Sequence, residues 1–402
     1  MRRATGLLIL LAGAARAAPP PPAPPPPAMG QDPVSPADPG AASTDLTREL
    51  SPEDPLRSVV DSLTRLDAAY PDVTSIDVLG TSRDGRPILA ATVATGASPG
   101  IALVADLRDD PQAGQAAVRE LVARWLALSA EPEARSAGGS VVVAIPVPDP
   151  DRFSAPGPTA GRPTDLDQNF PMRWQPWSGG RSGPWPLSEP ESRALAEGLI
   201  AREGLSVLLV VGGEGLEPDD ARVDPATRAL LERSPSGRLS AAAPEPGSLA
   251  AFAAERLGLA CLRLDGEADH LAALQELAAL LPRLVAGEPR VEPLGSGLWQ
   301  LEIDLRNTGG LPTATPAALL QHAADGGRAS VDGARLIAAA LRAEAAGFAL
   351  AESRAGVVAL GPLGPGRRQS LRLVLAAESQ AIVRVRVETS RASGVELSVP
   401  LP

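Results

Sequence analysis

The sequence predicts an α/β protein followed by an all-β domain, and three observations support this prediction. Between residues 56 and 284, short apolar runs typical of buried strands alternate with segments of helical periodicity. After residue 286, apolar residues recur at every second position, as in antiparallel strands. Hydrophobic residues make up 44% of the 402-residue chain but aromatic residues only 2%, so aliphatic side chains must build the core. We therefore expect a mixed, mostly parallel sheet covered by helices, and then an immunoglobulin-like β-sandwich.

The first 18 residues have the features of a secretory signal peptide. Arg2 and Arg3 precede an apolar stretch centred on residues 7–11, and residues 15–17 supply small side chains at the cleavage spacing. We predict that this segment directs the chain to secretion or to a periplasm. Residues 19–53 are proline-rich without periodicity, which predicts a disordered linker. No later apolar stretch is long enough for a transmembrane helix.

Charge and cysteine content exclude two further features. The formal net charge is −11, and no basic stripe is present to neutralise phosphates, so nucleic acid is not an expected partner. Cys261 is the only cysteine, which rules out an intrachain disulfide. Its apolar neighbours indicate a buried structural thiol and not a nucleophile.

The α/β domain is expected to begin near residue 54 with a helix. Apolar residues recur on one helical face over residues 56–66. Ile76 and Val78 then alternate with polar residues, which predicts a strand with both of these side chains inward. A turn over residues 80–87 leads to a second strand over residues 88–93, so the two strands should form a hairpin.

Strands and helices then alternate to the end of this domain. The expected strands cover residues 101–105, 141–145, 205–211 and 259–264, and the expected helices cover residues 112–128, 188–202, 247–257 and 270–284. Ser188 and Glu191 have the spacing of a capping box, in which Ser188 accepts from a free amide at the helix start. Open α/β sheets bind ligands at the carboxyl ends of their strands, so the polar turn at residues 106–110 marks the expected site.

The all-β domain is expected over residues 286–402, after the α/β domain at residues 54–285. Trp299, Leu301 and Ile303 alternate with polar residues, and the same pattern recurs over residues 371–375 and 383–387. Residues 334–341 fit neither period clearly because alanine dominates them.

Five ordered segments of the α/β domain resemble motifs of a known family. They read YPD at 70–72, GTSRDGRP at 80–87, IPVPDPD at 145–151, DLDQNFP at 165–171 and SGPWPLSEPE at 182–191. In this order they resemble the zinc metallocarboxypeptidases of the carboxypeptidase A and D type, over roughly residues 56–284. The resemblance implies a carboxypeptidase-like fold, zinc as the family cofactor and hydrolysis at peptide C-termini.

The residues that match the family's zinc ligands cannot bind zinc. In the family, an HxxE turn and a later histidine hold the metal, and the matching positions here are Arg108, Pro111 and Val211. Arg108 is a permanent cation, and Pro111 and Val211 have no side-chain donor. His270 and His322, the only histidines, lie in a late helix and in the all-β domain. We therefore expect a degenerate family member without zinc or another cofactor.

The family's substrate-binding residues have changed as well. By the resemblance, Asp167 and Gln168 replace the Asn-Arg pair that holds the substrate carboxylate, and Arg162 matches the arginine that polarises the scissile carbonyl. An aspartate at this place would repel a carboxylate. Asp265 matches the general base, and a carboxylate without a metal to acidify water would support little hydrolysis.

Three hypotheses of function follow. We favour a secreted, catalytically inactive carboxypeptidase-like protein that binds peptide, glycan or a protein partner in its vestigial cleft. The second is an active metallocarboxypeptidase or other hydrolase with a displaced metal site. The third is a structural or adhesion module that depends on the β-domain and the linker. Trp174, Trp177 and Trp185 either pin their loop to the core or form an aromatic lip for peptide or sugar.

Overall fold

The computed structural model describes ten segments of the chain. They are residues 50–94, 99–107, 111–129, 140–155, 164–176, 181–212, 220–234, 238–264, 269–344 and 346–402, with only the backbone at 111–113. The predicted signal peptide and the predicted linker up to residue 49 lie outside these segments. Within them, every helix is too short or too polar to span a bilayer.

Seven strands form the sheet of the α/β part. They are β1 (Thr74–Thr81), β2 (Pro87–Ala94), β3 (Gly100–Ala105), β4 (Val141–Ile145), β5 (Leu205–Val211), β6 (Leu239–Ala241) and β7 (Ala260–Leu264). Their order is β1-β2-β4-β3-β5-β7-β6. The three central pairings, from β4 through β3 and β5 to β7, are parallel. The three outer pairings are antiparallel, so the predicted mixed sheet is confirmed but is parallel only at its centre.

Helices cover both faces of this sheet. They are α1 (Pro55–Ala69), α2 (Pro111–Ser129), α3 (Pro150–Ser154), α4 (Pro190–Ile200), α5 (Pro225–Leu231), α6 (Leu249–Ala251, continued by a π-helical turn over Phe252–Leu257) and α7 (His270–Leu280). Ile101 and Leu103 of β3 share a buried cluster with α2 and α7. Ala102 and Val104 share the opposite cluster with α4 and α6. The predicted alternation of buried strands and covering helices is therefore confirmed.

Two local predictions for this part are wrong. Val78 is 49% exposed, and a bulge between Val78 and Gly80 shifts the register of β1 against β2 directly after it. Ser188 does not cap α4, whose N-cap residue is Glu189 and has no side-chain bond to the helix. The hydroxyl of Ser188 instead accepts from Asn169 Nδ2 at 3.0 Å. For Ser188, a tertiary contact overrides the local pattern.

The remainder of the chain folds into two antiparallel sheets. Their strands are β8 (Leu284–Ala286), β9 (Arg290–Gly295), β10 (Leu298–Asn307), β11 (Arg328–Asp332), β12 (Arg335–Ala343), β13 (Ala349–Leu350), β14 (Ser353–Arg354), β15 (Val357–Ala359), β16 (Arg368–Ala376), β17 (Ile382–Glu388) and β18 (Val395–Pro400), with one short helix, α8 (Pro316–Leu320). One sheet has the order β13-β12-β16-β10-β8, with β9 also paired to β10, and the other has the order β14-β15-β11-β17-β18.

The two sheets share one core. Leu301 of β10 and Leu373 of β16 lie in the same buried cluster as Val385 of β17, which belongs to the other sheet. The predicted all-β part is therefore confirmed. The alanine-rich stretch at 334–341, which the sequence left open, forms most of β12. The helix expected over residues 270–284 ends at Leu280, because Leu284 already pairs with β10 in the first sheet.

Candidate active-site edge

The carboxyl ends of β3, β5 and β7 meet at one edge of the sheet, where the sequence places its candidate site. Val211 is the last residue of β5 and is fully buried. Pro111 is the first residue of α2. Arg108, Arg162 and Asp265 lie outside the described residues, so their predicted roles rest on the family resemblance alone.

A buried ion pair closes this edge. Asp106 directly follows β3, and Arg263 lies in β7. Arg263 Nη1 donates to Asp106 Oδ2 and to the carbonyl oxygen of Gly212, the residue after β5. The side chains of Arg263 and Asp106 are only 7% and 4% exposed. One guanidinium group thus connects the ends of three strands.

Backbone hydrogen bonds join the same three strand ends. The amide of Asp106 donates to the carbonyl of Val211 at 3.0 Å, and the amide of Gly212 donates to the carbonyl of Leu264 at 2.9 Å. Backbone hydrogen bonds between the strand ends therefore fix the positions from which the two side chains of the ion pair extend.

The described residues at this edge do not fit a zinc ion. Val211 offers no donor atom, and the carboxylate of Asp106 is already bonded to a permanent cation. Among the described residues, no three His, Cys, Asp or Glu side chains are grouped as metal ligands. A zinc ion bound at Asp106 would also be close to the charge of Arg263, which would repel it.

Little space is left beside Asp106. The described residues around it, including Leu107, Val147 and Arg152, enclose a cavity of about 10 Å³. Such a volume holds about one water molecule. Arg152 contributes to the closure, because its Nη1 donates to the carbonyl of Leu107 at 2.9 Å. The space that the described residues leave beside Asp106 is therefore smaller than a substrate.

Asp167 and Gln168, the candidate substrate-binding residues, lie in a 3-10 turn over Leu166–Gln168. Asp167 is buried, and its Oδ1 accepts from the amide of Leu249 at 2.9 Å. This contact places a carboxylate at the start of α6, where the helix dipole favours negative charge. Gln168 Nε2 donates to Asp165 Oδ2 at 3.0 Å. These contacts serve the fold, and a role in substrate binding stays a prediction from the resemblance.

The family-like motifs also have structural roles. Asp151 Oδ1 accepts from Ser82 Oγ at 2.6 Å and from Arg86 Nη1 at 2.9 Å. Arg86 Nε donates to Asp54 Oδ2 at 3.0 Å, and Ser154 Oγ donates to Asp54 Oδ1 at 2.7 Å. Burial raises the pKa of Asp54, but hydrogen bonds, including those from Ser154 and Arg86, outweigh it and hold the pKa below its usual value. The network ties α1 and α3 to the β1–β2 hairpin.

A buried asparagine joins two of the other motifs. Asn169 is fully buried, and its Nδ2 donates to the carbonyls of Ser182 at 2.8 Å and Trp185 at 3.1 Å. Its Oδ1 accepts from the amide of Glu189 at 3.1 Å. The DLDQNFP segment therefore holds the loop that leads into α4, which gives both motifs a structural role.

The tryptophan-rich loop has one pinned and one exposed indole. Trp174 Nε1 donates to the carbonyl of Ser182 at 2.9 Å, which holds that ring against the loop. Trp185 is 57% exposed, and Trp177 lies outside the described residues. The pinning role is thus seen for Trp174, and the aromatic lip stays a hypothesis.

Cys261 has the environment expected of a structural thiol. It lies in β7 and is 2% exposed, and burial raises the pKa of its thiol well above the usual value. Such a thiol is neither a nucleophile nor a metal ligand at neutral pH. The sequence interpretation of this residue is confirmed.

Comparison with known proteins gives one family match and a set of similar structures. Residues 283–400 match a family model described as "Domain of unknown function (DUF8731)". No curated protein is significantly similar in sequence.

Among solved structures, three similar chains are a metallo-carboxypeptidase from Burkholderia cenocepacia, carboxypeptidase A from Helicoverpa armigera and the murein-tripeptide amidase MpaA from Escherichia coli O157. Their identities are 14%, 20% and 18%, and their TM-scores are 0.40, 0.36 and 0.35. The matches cover 55%, 48% and 51% of this chain and 67%, 54% and 91% of those chains. The solved structures similar to this chain are metallocarboxypeptidase-like. The chain spans between 52% and 67% of the length of the first three structures that it matches.

Proposed function

We propose that this chain is a catalytically inactive, carboxypeptidase-like protein that binds peptide, glycan or a protein partner. The Arg263–Asp106 ion pair is the observation that supports this proposal most directly. It places a permanent positive charge at the edge of the sheet where the resemblance puts the metal, and it occupies the nearest buried carboxylate. Arg108, Pro111 and Val211 agree with it, because none has a donor atom for zinc.

Electrostatics makes the charge of Arg263 a strong barrier to a metal. A divalent ion about 4 Å from a guanidinium group meets a repulsion of roughly 8 kcal/mol from that group alone at an effective dielectric constant of 20. Asp106 would offset this repulsion, but it could ligate the ion fully only by giving up its bond to Arg263. Without a bound metal, water at this edge keeps its high pKa, and a carboxylate such as Asp265 is too weak a base to activate it. Hydrolysis by the family's route is therefore not expected.

We also propose a layout for the whole chain. Residues 1–18 act as a signal peptide that directs secretion or periplasmic export, and residues 19–53 form the linker. Residues 54–285 form the carboxypeptidase-like domain, and residues 286–402 form an immunoglobulin-like sandwich. The shared core of the two antiparallel sheets and the family match at residues 283–400 support the last boundary.

Metal content and exopeptidase activity, measured together on the secreted chain, test this proposal. After equilibration with zinc and dialysis, we expect far less than one zinc per chain by plasma mass spectrometry. Incubation with a panel of peptides should release no C-terminal residue, while an active carboxypeptidase run in parallel cleaves the panel. Stoichiometric zinc together with chelator-sensitive release would refute the proposal. If that release also disappeared in Asp265→Ala, the displaced-site hydrolase would be the correct alternative.

A further inference from the structure

A larger cavity lies at the opposite edge of the sheet, where β5 and β7 begin. Its volume is about 380 Å³, which is within the range of small-molecule sites and far above the 10 Å³ beside Asp106. One wall comes from the end of α4 and from the π-helical turn after α6. The other wall comes from the segments that follow α8 and β17. The α/β part and the all-β part therefore build this cavity jointly.

Two arginines of the cavity lining, one buried and one half-buried, have no carboxylate partner among the described residues. Arg391 is 4% exposed, and its guanidinium donates to the carbonyls of Gly258, at 2.8 Å, and Leu257. Arg256 is half-buried, and its Nη1 donates to the carbonyl and the side-chain oxygen of Gln321 at 3.0 and 3.1 Å. These oxygens satisfy hydrogen bonds but carry no full negative charge. Buried charges in proteins are normally paired, so these arginines lack a counter-ion.

The same lining contains buried polar atoms without partners. Arg391 Nε and Ser390 Oγ have no hydrogen-bond partner among the described residues. Buried polar groups without partners are destabilising, and native proteins leave few of them. Burial lowers the pKa of Arg391 to about 10, so its side chain stays cationic at neutral pH. These residues therefore present net positive charge together with unused hydrogen-bonding capacity.

The outer part of the cavity has the opposite charge. Glu203 and Asp325 line it, are exposed and have no ion-pair partner among the described residues. The remaining arginine of the lining, Arg202, is already paired with Asp77 at 2.9 Å. His322 is exposed at the same rim. Unpaired charge in this cavity is thus positive at the buried Arg391 and the half-buried Arg256, and negative at the exposed Glu203 and Asp325.

We propose that this cavity binds a small zwitterionic ligand of the amino-acid type. Its carboxylate contacts Arg391 and Arg256 and supplies the missing counter-charge, and its cationic end faces Glu203 and Asp325. Glu203 and Asp325 would repel the second negative charge of a dianion. A ligand without a carboxylate would leave Arg391 and Arg256 without a counter-ion. This cavity lies at the other edge of the sheet from the Arg263–Asp106 pair. A failure of lysine to bind here would therefore leave the proposed function untouched, and a failure of the proposed function would leave this site untouched.

Titration of the full secreted chain with free lysine tests the proposal, with succinate and inorganic phosphate as comparison ligands. We expect saturable lysine binding by ligand-observed NMR, with succinate and phosphate at least about tenfold weaker, which corresponds to 1.4 kcal/mol or more. Arg256→Gln should weaken lysine binding by a similar factor, because a charged hydrogen bond is lost. Glu203→Gln should reduce the preference for lysine over norleucine, which has the same carboxylate and α-ammonium group but lacks the side-chain ammonium that would face Glu203.

A matched control is Arg354→Gln, which removes an exposed arginine of β14 outside the cavity lining and should leave lysine binding unchanged. Urea midpoints equal to wild type would show that each variant is folded. The proposal is overturned if lysine does not bind at concentrations up to about 10 mM. It is also overturned if phosphate or succinate binds more tightly, or if Arg256→Gln has no effect on the affinity.

Discussion

Replacing Arg263 with methionine should lower the free energy of unfolding by about 3–5 kcal/mol. Methionine keeps an unbranched side chain in β7 but removes the charge that neutralises Asp106. The Asp106 side chain is 4% exposed, so water does not compensate its charge. The carbonyl of Gly212 loses its side-chain donor at the same time. The expected cost is therefore that of a broken buried ion pair and not that of a surface contact.

The double variant Arg263→Met/Asp106→Leu separates charge from packing. It removes both charges, so its unfolding free energy should be within about 2 kcal/mol of wild type, although it carries one more substitution. The single and double variants together form a double-mutant cycle, and we expect a coupling energy of several kcal/mol. Neither variant should acquire zinc, because Val211 still supplies no ligand.

Urea unfolding at pH 7, followed by fluorescence of the five tryptophans, measures these free energies. The matched control is Arg222→Met, which breaks an exposed ion pair with Asp220 whose Nη2–Oδ2 distance is 2.7 Å. Its midpoint should not change. If Arg263→Met cost less than about 1 kcal/mol, the pair would behave as a surface contact. The same conclusion would follow if the double variant were no more stable than Arg263→Met, and the pair would then not act as a buried ion pair at this edge.

Three further predictions follow from buried groups. Asp54→Asn should destabilise the chain at pH 7, because the carboxylate is stabilised in the folded state. The pKa of Asp54 is depressed below 3.8, so the difference in urea midpoint between wild type and variant should shrink as the pH falls below about 4. A difference that stays constant with pH would contradict the network around Asp54. Cys261 should not react with a thiol reagent at pH 8 until the chain is unfolded, and should then react with one equivalent. Rapid labelling of the native chain would contradict this prediction, because it would show that the thiol is accessible. Asn169→Asp should lower the free energy of unfolding in urea by about 3 kcal/mol, because the carbonyls of Ser182 and Trp185 lose their donor and face a carboxylate instead. A change below about 1 kcal/mol would show that Asn169 does not anchor the loop.

Most elements of the fold could be predicted from the sequence because their signals are local. The apolar run of β3 and the helical stripe of α2 each reflect burial of one segment against its neighbours, and the structure confirms both. Ser188 and Val78 show the limit of such signals. Asn169 donates to the Ser188 hydroxyl from a distant segment, and Val78 lies exposed next to a bulge in the strand pairing. Neither feature can be recognised from the neighbouring residues in the sequence.

The ion pair at the candidate site was missed for the same reason. Arg263 and Asp106 are 157 residues apart, and only the order of β3, β5 and β7 brings them together. One signal was present, because Arg263 is the single charged residue within the strand Ala260–Leu264. Charged residues are almost never buried without a partner, so an arginine in that strand indicates a buried acid nearby. The sequence does not identify which acid.

The Arg263–Asp106 pair also bears on how the chain could change over evolutionary time. A metal that is merely absent returns when its ligands are restored, one substitution at a time. Here a histidine introduced at Val211 alone would still lack the other two ligands of the family's zinc site, while loss of Arg263 alone would cost stability. If the proposed function is correct, restoring a metal at this edge would need new ligands and the loss of Arg263 together. The buried ion pair would then give the metal-free state a stability of its own.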